Sequence, residues 1–355
     1  KKTRNYYMKN INKSKFAILE KTNKPLLIKK LIIPKLKKNQ LLVKIKYSYI
    51  CGTQLNEIFG LKGVDKYLPH TLGHEASGYI VGNGQNTKKF KKNDKVILSW
   101  IKKNESGSIN PFYLDSQNKK INSGSISTFS NLTIVSKDRV YKIPKNLPMD
   151  IAALFGCAIP TGFGIVFNFL KKITKDDYIG VYGVGGVGTM SIIALNAIGI
   201  KNIYAVDKNK KNLRLAKKLG CKFIGNMDEI EKKIIKKKID KSKIKYNFEM
   251  SGNKMMMEAA VKNLANNGKM ILAGNTKKGD YVRLNPYDLI FGKRIYGFSG
   301  NDVSLERNIK KYIKIVKKIN FKKLRDIFST YKFQNINKAI LDFKKGTVLR
   351  PLIKF

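Results

Sequence analysis

The sequence predicts an α/β protein with a β-rich unit followed by a doubly wound parallel-sheet unit. Three observations carry this: short strand-like runs over residues 16–98, a change to alternating strands and helices from about residue 161, and the run Val181-Tyr182-Gly183-Val184-Gly185-Gly186-Val187-Gly188. At 355 residues the chain is long enough for two domains with their own cores.

In the first unit Phe16-Ala17-Ile18-Leu19, Leu26-Leu27-Ile28 and Gln40 to Tyr47 read as strands, with Pro25 and Pro34 as breaks. Gly78 to Val81 and Asp94 to Leu98 follow in the same style. In the second unit, strands at Tyr178 to Tyr182, Asn202 to Asp207, Lys245 to Met250 and Lys269 to Ala273 alternate with helical stretches. That alternation is the rhythm of a parallel sheet with crossover helices. A helix over Ser304 to Lys318 and a final strand over Leu349 to Phe355 close the chain.

The glycine run is G-x-G-x-x-G, set between a strand and an apolar helical stretch from Thr189 to Ile198. Gly183 permits the tight turn, Gly185 lets backbone approach a pyrophosphate, and Gly188 lets the helix sit close on the strand. The pyrophosphate then lies at the helix N-terminus, among amides that have no partner within the helix. Asp207 ends the next strand, where its carboxylate can accept from a ribose 2′-hydroxyl but repels a 2′-phosphate. NAD is therefore expected over NADP, although Lys208, Lys210 and Lys211 stand beside Asp207 as cations able to accommodate a phosphate.

The net charge of +48 points toward polyanions. However, the basic residues are spread over the whole chain, and 64 of the 72 are Lys, whereas bidentate base and phosphate recognition leans on Arg. With no nucleic-acid-binding signature present, specific nucleic-acid binding is not expected, and weak salt-sensitive sticking to polyanions is. Cys51, Cys157 and Cys221 are the only cysteines, which suits a reducing compartment, the cytoplasm. No apolar run approaches the length of a membrane span. Lys1, Lys2, Thr3 and Arg4 carry no apolar signal core, and the missing initial Met reads as a fragment or as a wrong start with Met8 a candidate true one.

Cys51, His74 and Cys157 are candidate metal ligands. Two cysteines and a histidine with an open fourth position form a known catalytic zinc arrangement. Spacing alone does not establish it, because a lone buried Cys is usually a small hydrophobe and a lone His a satisfied core or surface residue.

At these residues the sequence resembles the zinc-dependent medium-chain alcohol dehydrogenase family. The matching segments are Cys51-Gly52-Thr53, Leu72-Gly73-His74-Glu75-Ala76-Ser77-Gly78, Asn93-Asp94-Lys95-Val96, Gly156 to Gly162, Gly183 to Gly188 with Asp207, and Leu349-Arg350-Pro351-Leu352. They occur in the family's order and extend from about residue 15 to the end.

The resemblance implies a chaperonin-10-like β-rich catalytic domain over residues 1–160 and 300–355, with a Rossmann domain over 161–299. It implies a catalytic zinc held by Cys51, His74 and Cys157, with Glu75 as the neighbouring acid. Thr53 is implied as the hydroxyl that takes the substrate proton, and Trp100 as a bulky residue of the substrate pocket. Thr161 and Val187 are implied at the nicotinamide face, Gly183, Gly185, Gly186 and Gly188 at the phosphates, and Arg350 at the pyrophosphate. The implied reaction moves hydride between an alcohol and NAD, giving an aldehyde or ketone. The implied assembly is a homodimer or homotetramer joined near Tyr281 to Phe291.

Departures from the family pattern also carry information. Ile101 to Thr128 contains no cysteine, so no structural zinc is expected. Gln54 stands where an Asp usually steadies the zinc-bound histidine, and Asn56 where some members have a relay histidine. His70 reads as structural, and proton release is expected from Thr53 through the ribose hydroxyl to solvent. The polar segment Asn104 to Ser127 favours a polyol or sugar-derived alcohol over a long aliphatic one. Two rival readings are a zinc-free quinone or enoyl reductase of the same superfamily, and a polyanion-binding protein on a degenerate dehydrogenase scaffold.

Overall fold

The computed structural model describes residues 13–319 and 321–355; Met8 lies outside them. The chain divides into two compact units. One runs up to Cys157 and takes in Ser304–Arg307 and Ile319–Phe355; the other comprises Ala158–Val303 and Asn308–Lys318.

The first unit opens with β1 (Lys13–Leu19), β2 (Leu27–Ile32), β3 (Gln40–Tyr49), β4 (His70–Thr71), β5 (Glu75–Asn83), β6 (Lys95–Ser99), β7 (Phe112–Leu114), β8 (Lys120–Asn122), β9 (Leu132–Ser136) and β10 (Val140–Lys142). The second unit holds β11 (Tyr178–Tyr182), β12 (Ile203–Val206), β13 (Phe223–Gly225), β14 (Ile244–Glu249), β15 (Lys269–Leu272) and β16 (Arg294–Gly297). β17 (Ser329–Lys332) and β18 (Pro351–Lys354) return to the first unit.

In the first unit β1, β2, β7, β8 and β4 close into a barrel, and β10-β6-β5-β3-β18-β17 form a sheet with β9 also on β3. The period of two along β3 turns Leu41, Val43 and Ile45 inward against Ala76, Ile80, Val96, Leu98 and Val135. Phe16, Ile18, Leu31, Tyr113 and Ile121 form a smaller core among the barrel strands. The polar segment Asn104 to Ser127 therefore carries a hairpin, β7–β8, whose central inward residues are Tyr113 and Ile121. Asp115 sets the turn by accepting the N–H groups of Gln117 and Lys119, and Asn118 takes a positive φ there. A pair of inward residues is too few to give a periodic signal, which is why the sequence reading found no strand there.

The second unit is a parallel sheet in the order β13-β12-β11-β14-β15-β16, the Rossmann order, with its reversal between β11 and β14. Asn209 and Asn226 cap the helices Lys210–Lys218 and Met227–Ile235, the latter with Glu229 in a reciprocal capping box. The helix after β11 spans Gly186–Ala197 and so begins inside the glycine run, earlier than the apolar stretch alone suggested. In Leu305–Lys318, Tyr312, Ile313 and Val316 face inward, and Tyr312 meets Phe163 edge-on with ring centroids 5.2 Å apart. Among the described residues no single helix is long and apolar enough to cross a membrane.

Candidate active site

Three breaks between elements of the first unit bring the metal candidates together. Cys51 precedes the helix Gly52–Ile58, His74 and Glu75 stand at the start of β5, and Cys157 follows the turn Leu154–Gly156. One ligand atom from each of Cys51, His74, Glu75 and Cys157 lies within 4.8 Å of all the others. Gly156 makes this approach possible: a Cβ there would sit 2.7 Å from Glu75 Cα and 2.5 Å from the Leu98 carbonyl.

His74 is oriented by Gln54, whose side-chain Oε1 accepts the Cys51 N–H at 3.0 Å while its Nε2 meets His74 Nδ1. The opposite ring nitrogen, His74 Nε2, is buried without a hydrogen-bond partner. A hydrogen bond from the Cys157 thiol outweighs the cost of burial and, with His74, holds the Cys51 thiol well below its ordinary value. The same bond and burial push Cys157 up. His74 is raised: burial opposes its charge, but the nearby Cys51 thiol, which favours the charged imidazolium, prevails.

Glu75 and Arg350, fully buried at 0% and 2% exposure, form an ion pair between Glu75 Oε1 and Arg350 Nη2. Their separation of 275 residues explains why the sequence reading did not pair them. The one available signal was the scarcity of Arg in a lysine-rich chain. Arg350, expected at a pyrophosphate, thus lies inside the first unit with its guanidinium on Glu75 and 5.5 Å from the Tyr49 ring.

These residues fit a divalent metal. The orphaned His74 Nε2 and two thiols supply soft donors, and two thiolates plus Glu75 against Arg350 leave two negative charges for a dication to neutralise. The Gln54 donor against Nδ1 is the discordant feature. A histidine that ligates through Nε2 carries its proton on Nδ1 and donates it to an acceptor.

Thr53, Gln54, His74 and Trp100 line a cavity of about 380 Å³. Trp100 stands 6.4 Å from His74 between ring centroids, and its Nε1 is buried without a partner. Asn110, Asn122, Ser123 and Ser125 form one polar side of it and Glu57, Lys62 and His70 a charged side, so the segment that lacks cysteines helps shape this cavity. His70, expected to be structural, pairs with Asp65 at 2.8 Å and with the Thr71 carbonyl. Glu57, Asp65 and His70 also converge, but their contacts are those of an ion-pair cluster with Lys62.

In the second unit the glycine loop follows β11 at the sheet's reversal point. Gly183 has φ of +86°, and a Cβ on it would lie 2.6 Å from the Ser251 backbone after β14. A Cβ on Gly185 would meet nothing within 4 Å, which leaves a bare cradle at the uncapped N-terminus of Gly186–Ala197. Asp207 accepts the Val184 N–H at 2.7 Å and the Asn209 N–H at 2.7 Å, tying the end of β12 to the loop. The arrangement fits a dinucleotide. Gly162 packs the helix Ala158–Phe169 against Gly186–Ala197, with Ser191 Oγ donating to the Gly162 carbonyl at 2.9 Å. That contact brings the half-buried Thr161 and Val187 onto adjoining helices.

Comparison with known proteins places the chain by family and fold. Residues 186–318 match the family described as zinc-binding dehydrogenase, and residues 37–145 match the alcohol dehydrogenase GroES-like domain. Benzyl alcohol dehydrogenase from Acinetobacter calcoaceticus is similar over 97% of this chain and 99% of that one, with 25% identity and a TM-score of 0.84. An alcohol dehydrogenase zinc-binding domain protein from Burkholderia ambifaria shares 23% identity over 97% and 99%, with a TM-score of 0.87. Acetophenone reductase from Geotrichum candidum, solved in complex with NAD, shares 19% identity over 97% and 98%, with a TM-score of 0.78.

Proposed function

The chain belongs to the medium-chain dehydrogenase family of zinc-binding alcohol dehydrogenases, and we propose on that premise that it moves hydride between an alcohol and NAD, giving an aldehyde or ketone. The observation that carries this is the convergence of Cys51, His74 and Cys157 beside the cavity lined by Thr53 and Trp100. Cys51, His74 Nε2 and Cys157 would hold one catalytic zinc per chain, with none bound between Ile101 and Thr128. Zinc bound there supplies Lewis-acid polarisation of the substrate oxygen.

The chain's own residues do the rest. Thr53 Oγ1 takes the alcohol proton and passes it toward the cofactor ribose and solvent. Trp100 and the Asn and Ser residues of the cavity wall position the carbon chain, and their polar groups suit a polyol or sugar-derived alcohol. Glu75 places negative charge beside the thiols and is itself held by Arg350. The amides of Gly185, Gly186, Val187 and Gly188 receive the pyrophosphate, and Asp207 selects NAD by accepting from its ribose. Thr161 and Val187 hold the nicotinamide face, and Arg350 adds positive charge toward the pyrophosphate.

The assembly is a homodimer or homotetramer joined at the free edge of β16, where Tyr281, Tyr287, Ile290 and Phe291 are 55% or more exposed. Three free cysteines, two of them in the metal set, suit the cytoplasm. A zinc-free reductase of the same superfamily is favoured by one observation, the Gln54 amide donor on His74 Nδ1.

Zinc stoichiometry by atomic emission, on wild type and Cys157→Ala, decides between the two. We expect about one zinc per chain, lost in the variant together with alcohol oxidation. Zinc-free protein that retains carbonyl reduction would remove the metal reading.

A further inference from the structure

Lys13, Lys15, Lys30, Lys332 and Lys354 surround a cavity of about 660 Å³ in the first unit. Its wall shares no residue with the cavity at Trp100. Among the described residues no Asp or Glu side chain lines it; the other polar side chains are Ser14, Asn131 and Gln334. All five lysines are exposed, and among the described residues none of them forms an ion pair.

Strand register sets these charges against one another. Lys15 is the cross-strand partner of Lys30 in the antiparallel pair β1–β2, and Lys332 the partner of Lys354 in the parallel pair β17–β18. Lys13 shares the exposed face of β1 with Lys15 by the period of two. Directly opposed side chains lie roughly 5 Å apart, and like charges in that position destabilise the sheet. A lysine-rich composition accounts for exposed and unpaired lysines as such. What it does not specify is their placement: two like-charge pairs stand in register around a single cavity whose described lining holds no Asp or Glu, although Lys13 and Lys30 also border a neighbouring cavity lined by Asp115.

We propose that this cavity binds a small polyphosphate anion, a chain of phosphoryl groups short enough to lie between the two lysine pairs. Ammonium groups act as point charges on phosphate oxygens, and two separated pairs match an elongated, multiply charged anion better than a single phosphate. Phe333 and Phe355, with ring centroids 4.8 Å apart, and Leu132 form the apolar part of the wall. Single-stranded nucleic acid is disfavoured because it needs successive aromatic faces open for base stacking, whereas Phe333 is only 2% exposed and Phe355 half-buried, packed against it.

The test is calorimetric titration with inorganic tripolyphosphate at about 0.15 M salt, where charges more than about 8 Å apart are screened. Wild type is compared with Lys15→Gln/Lys30→Gln, with Lys332→Gln/Lys354→Gln, and with a control, Lys236→Gln/Lys238→Gln, remote in sequence and exposed. We expect one site per chain, weakened about tenfold or more in each cavity variant and unchanged in the control. Both cavity variants should also melt at a higher temperature than wild type without ligand, since a repulsive pair is removed. Equal weakening in the control, or undiminished binding in both cavity variants, overturns the proposal; the second result would place the anion elsewhere, the glycine loop included. An RNA oligonucleotide that binds more tightly than tripolyphosphate and is lost in the same variants overturns it in favour of a nucleic-acid surface.

Discussion

Gln54 presents the donor end of its side-chain amide to Nδ1 of His74, while its acceptor end is fixed by the Cys51 N–H at 3.0 Å. One side chain thus governs both the first cysteine and the histidine of the proposed metal set. The amide cannot simply reverse to accept from Nδ1–H, because its donor end would then face the Cys51 N–H.

Gln54→Glu should therefore tighten zinc binding. The replacement is isosteric, and its two oxygens can accept from Cys51 N–H and from His74 Nδ1–H together, which frees Nε2 as a ligand. Partners in this position are worth about 10- to 100-fold in metal affinity, so we expect at least about a tenfold gain in competition with a chelator. Equal or weaker retention would mean that Gln54 does not limit the site.

Glu75→Gln should destabilise the first unit strongly, because it leaves Arg350 charged and unpaired at 2% exposure. Breaking a buried pair on one side costs about 3–5 kcal/mol. Urea unfolding should show a loss of that size, and Glu75→Gln/Arg350→Met should recover most of it. A single variant as stable as wild type would refute a structural role for the pair.

Asp207→Asn should separate the two tasks assigned to Asp207. The amide oxygen can still accept the Val184 N–H that ties the loop to β12, while the NH2 end gives up the Asn209 N–H, a local cost that leaves the glycine loop's own contact in place. The lost charge should weaken NAD binding about tenfold and bring NADP closer, aided by Lys208 and Lys210, as charge-assisted hydrogen bonds are roughly twice as strong as neutral ones. Calorimetric titration of both cofactors reads this directly, and an unchanged NAD/NADP ratio would count against Asp207 as the selector.

Glu249 should make the second unit less stable as pH rises. Burial pushes its carboxyl up to about 7 from an ordinary 4.5, despite hydrogen bonds from Ser251 and Gly252 that favour the charged form. Between those values the folded chain keeps a proton that the unfolded chain releases, so stability falls from about pH 4.5 to about pH 7 and levels off above. The difference is on the order of 3 kcal/mol as an upper figure. Denaturant midpoints of wild type and Glu249→Gln, compared from pH 5 to 8, should converge at low pH and separate at high pH. Parallel profiles would show that Glu249 does not titrate in this window.

The dinucleotide loop was legible because its signal is local. Strand β11, the glycines and Asp207 lie within 30 residues, and each residue type is required by backbone geometry at that place, as the φ of +86° at Gly183 demonstrates. The same locality made four strands of the parallel sheet, β11, β12, β14 and β15, and the helix Leu305–Lys318 readable, while β13 and β16 were not read. β4 and the hairpin β7–β8 were not, since two or three residues per strand cannot declare a period of two.

By itself the sequence determined the fold class, the glycine loop with its acid, and the residue types able to hold a metal, because periodicity and turn chemistry act over a few neighbouring residues. Only the tertiary structure decided which distant side chains share a charge environment. It brought Cys51, His74, Glu75 and Cys157 within 4.8 Å, placed Arg350 on Glu75, turned the amide of Gln54 to His74, and set Lys15 against Lys30 and Lys332 against Lys354. The physical reason is that electrostatic and hydrogen-bond energies depend on separation in space and on burial. In these sites, sheet register and the close packing at Gly156 fix both.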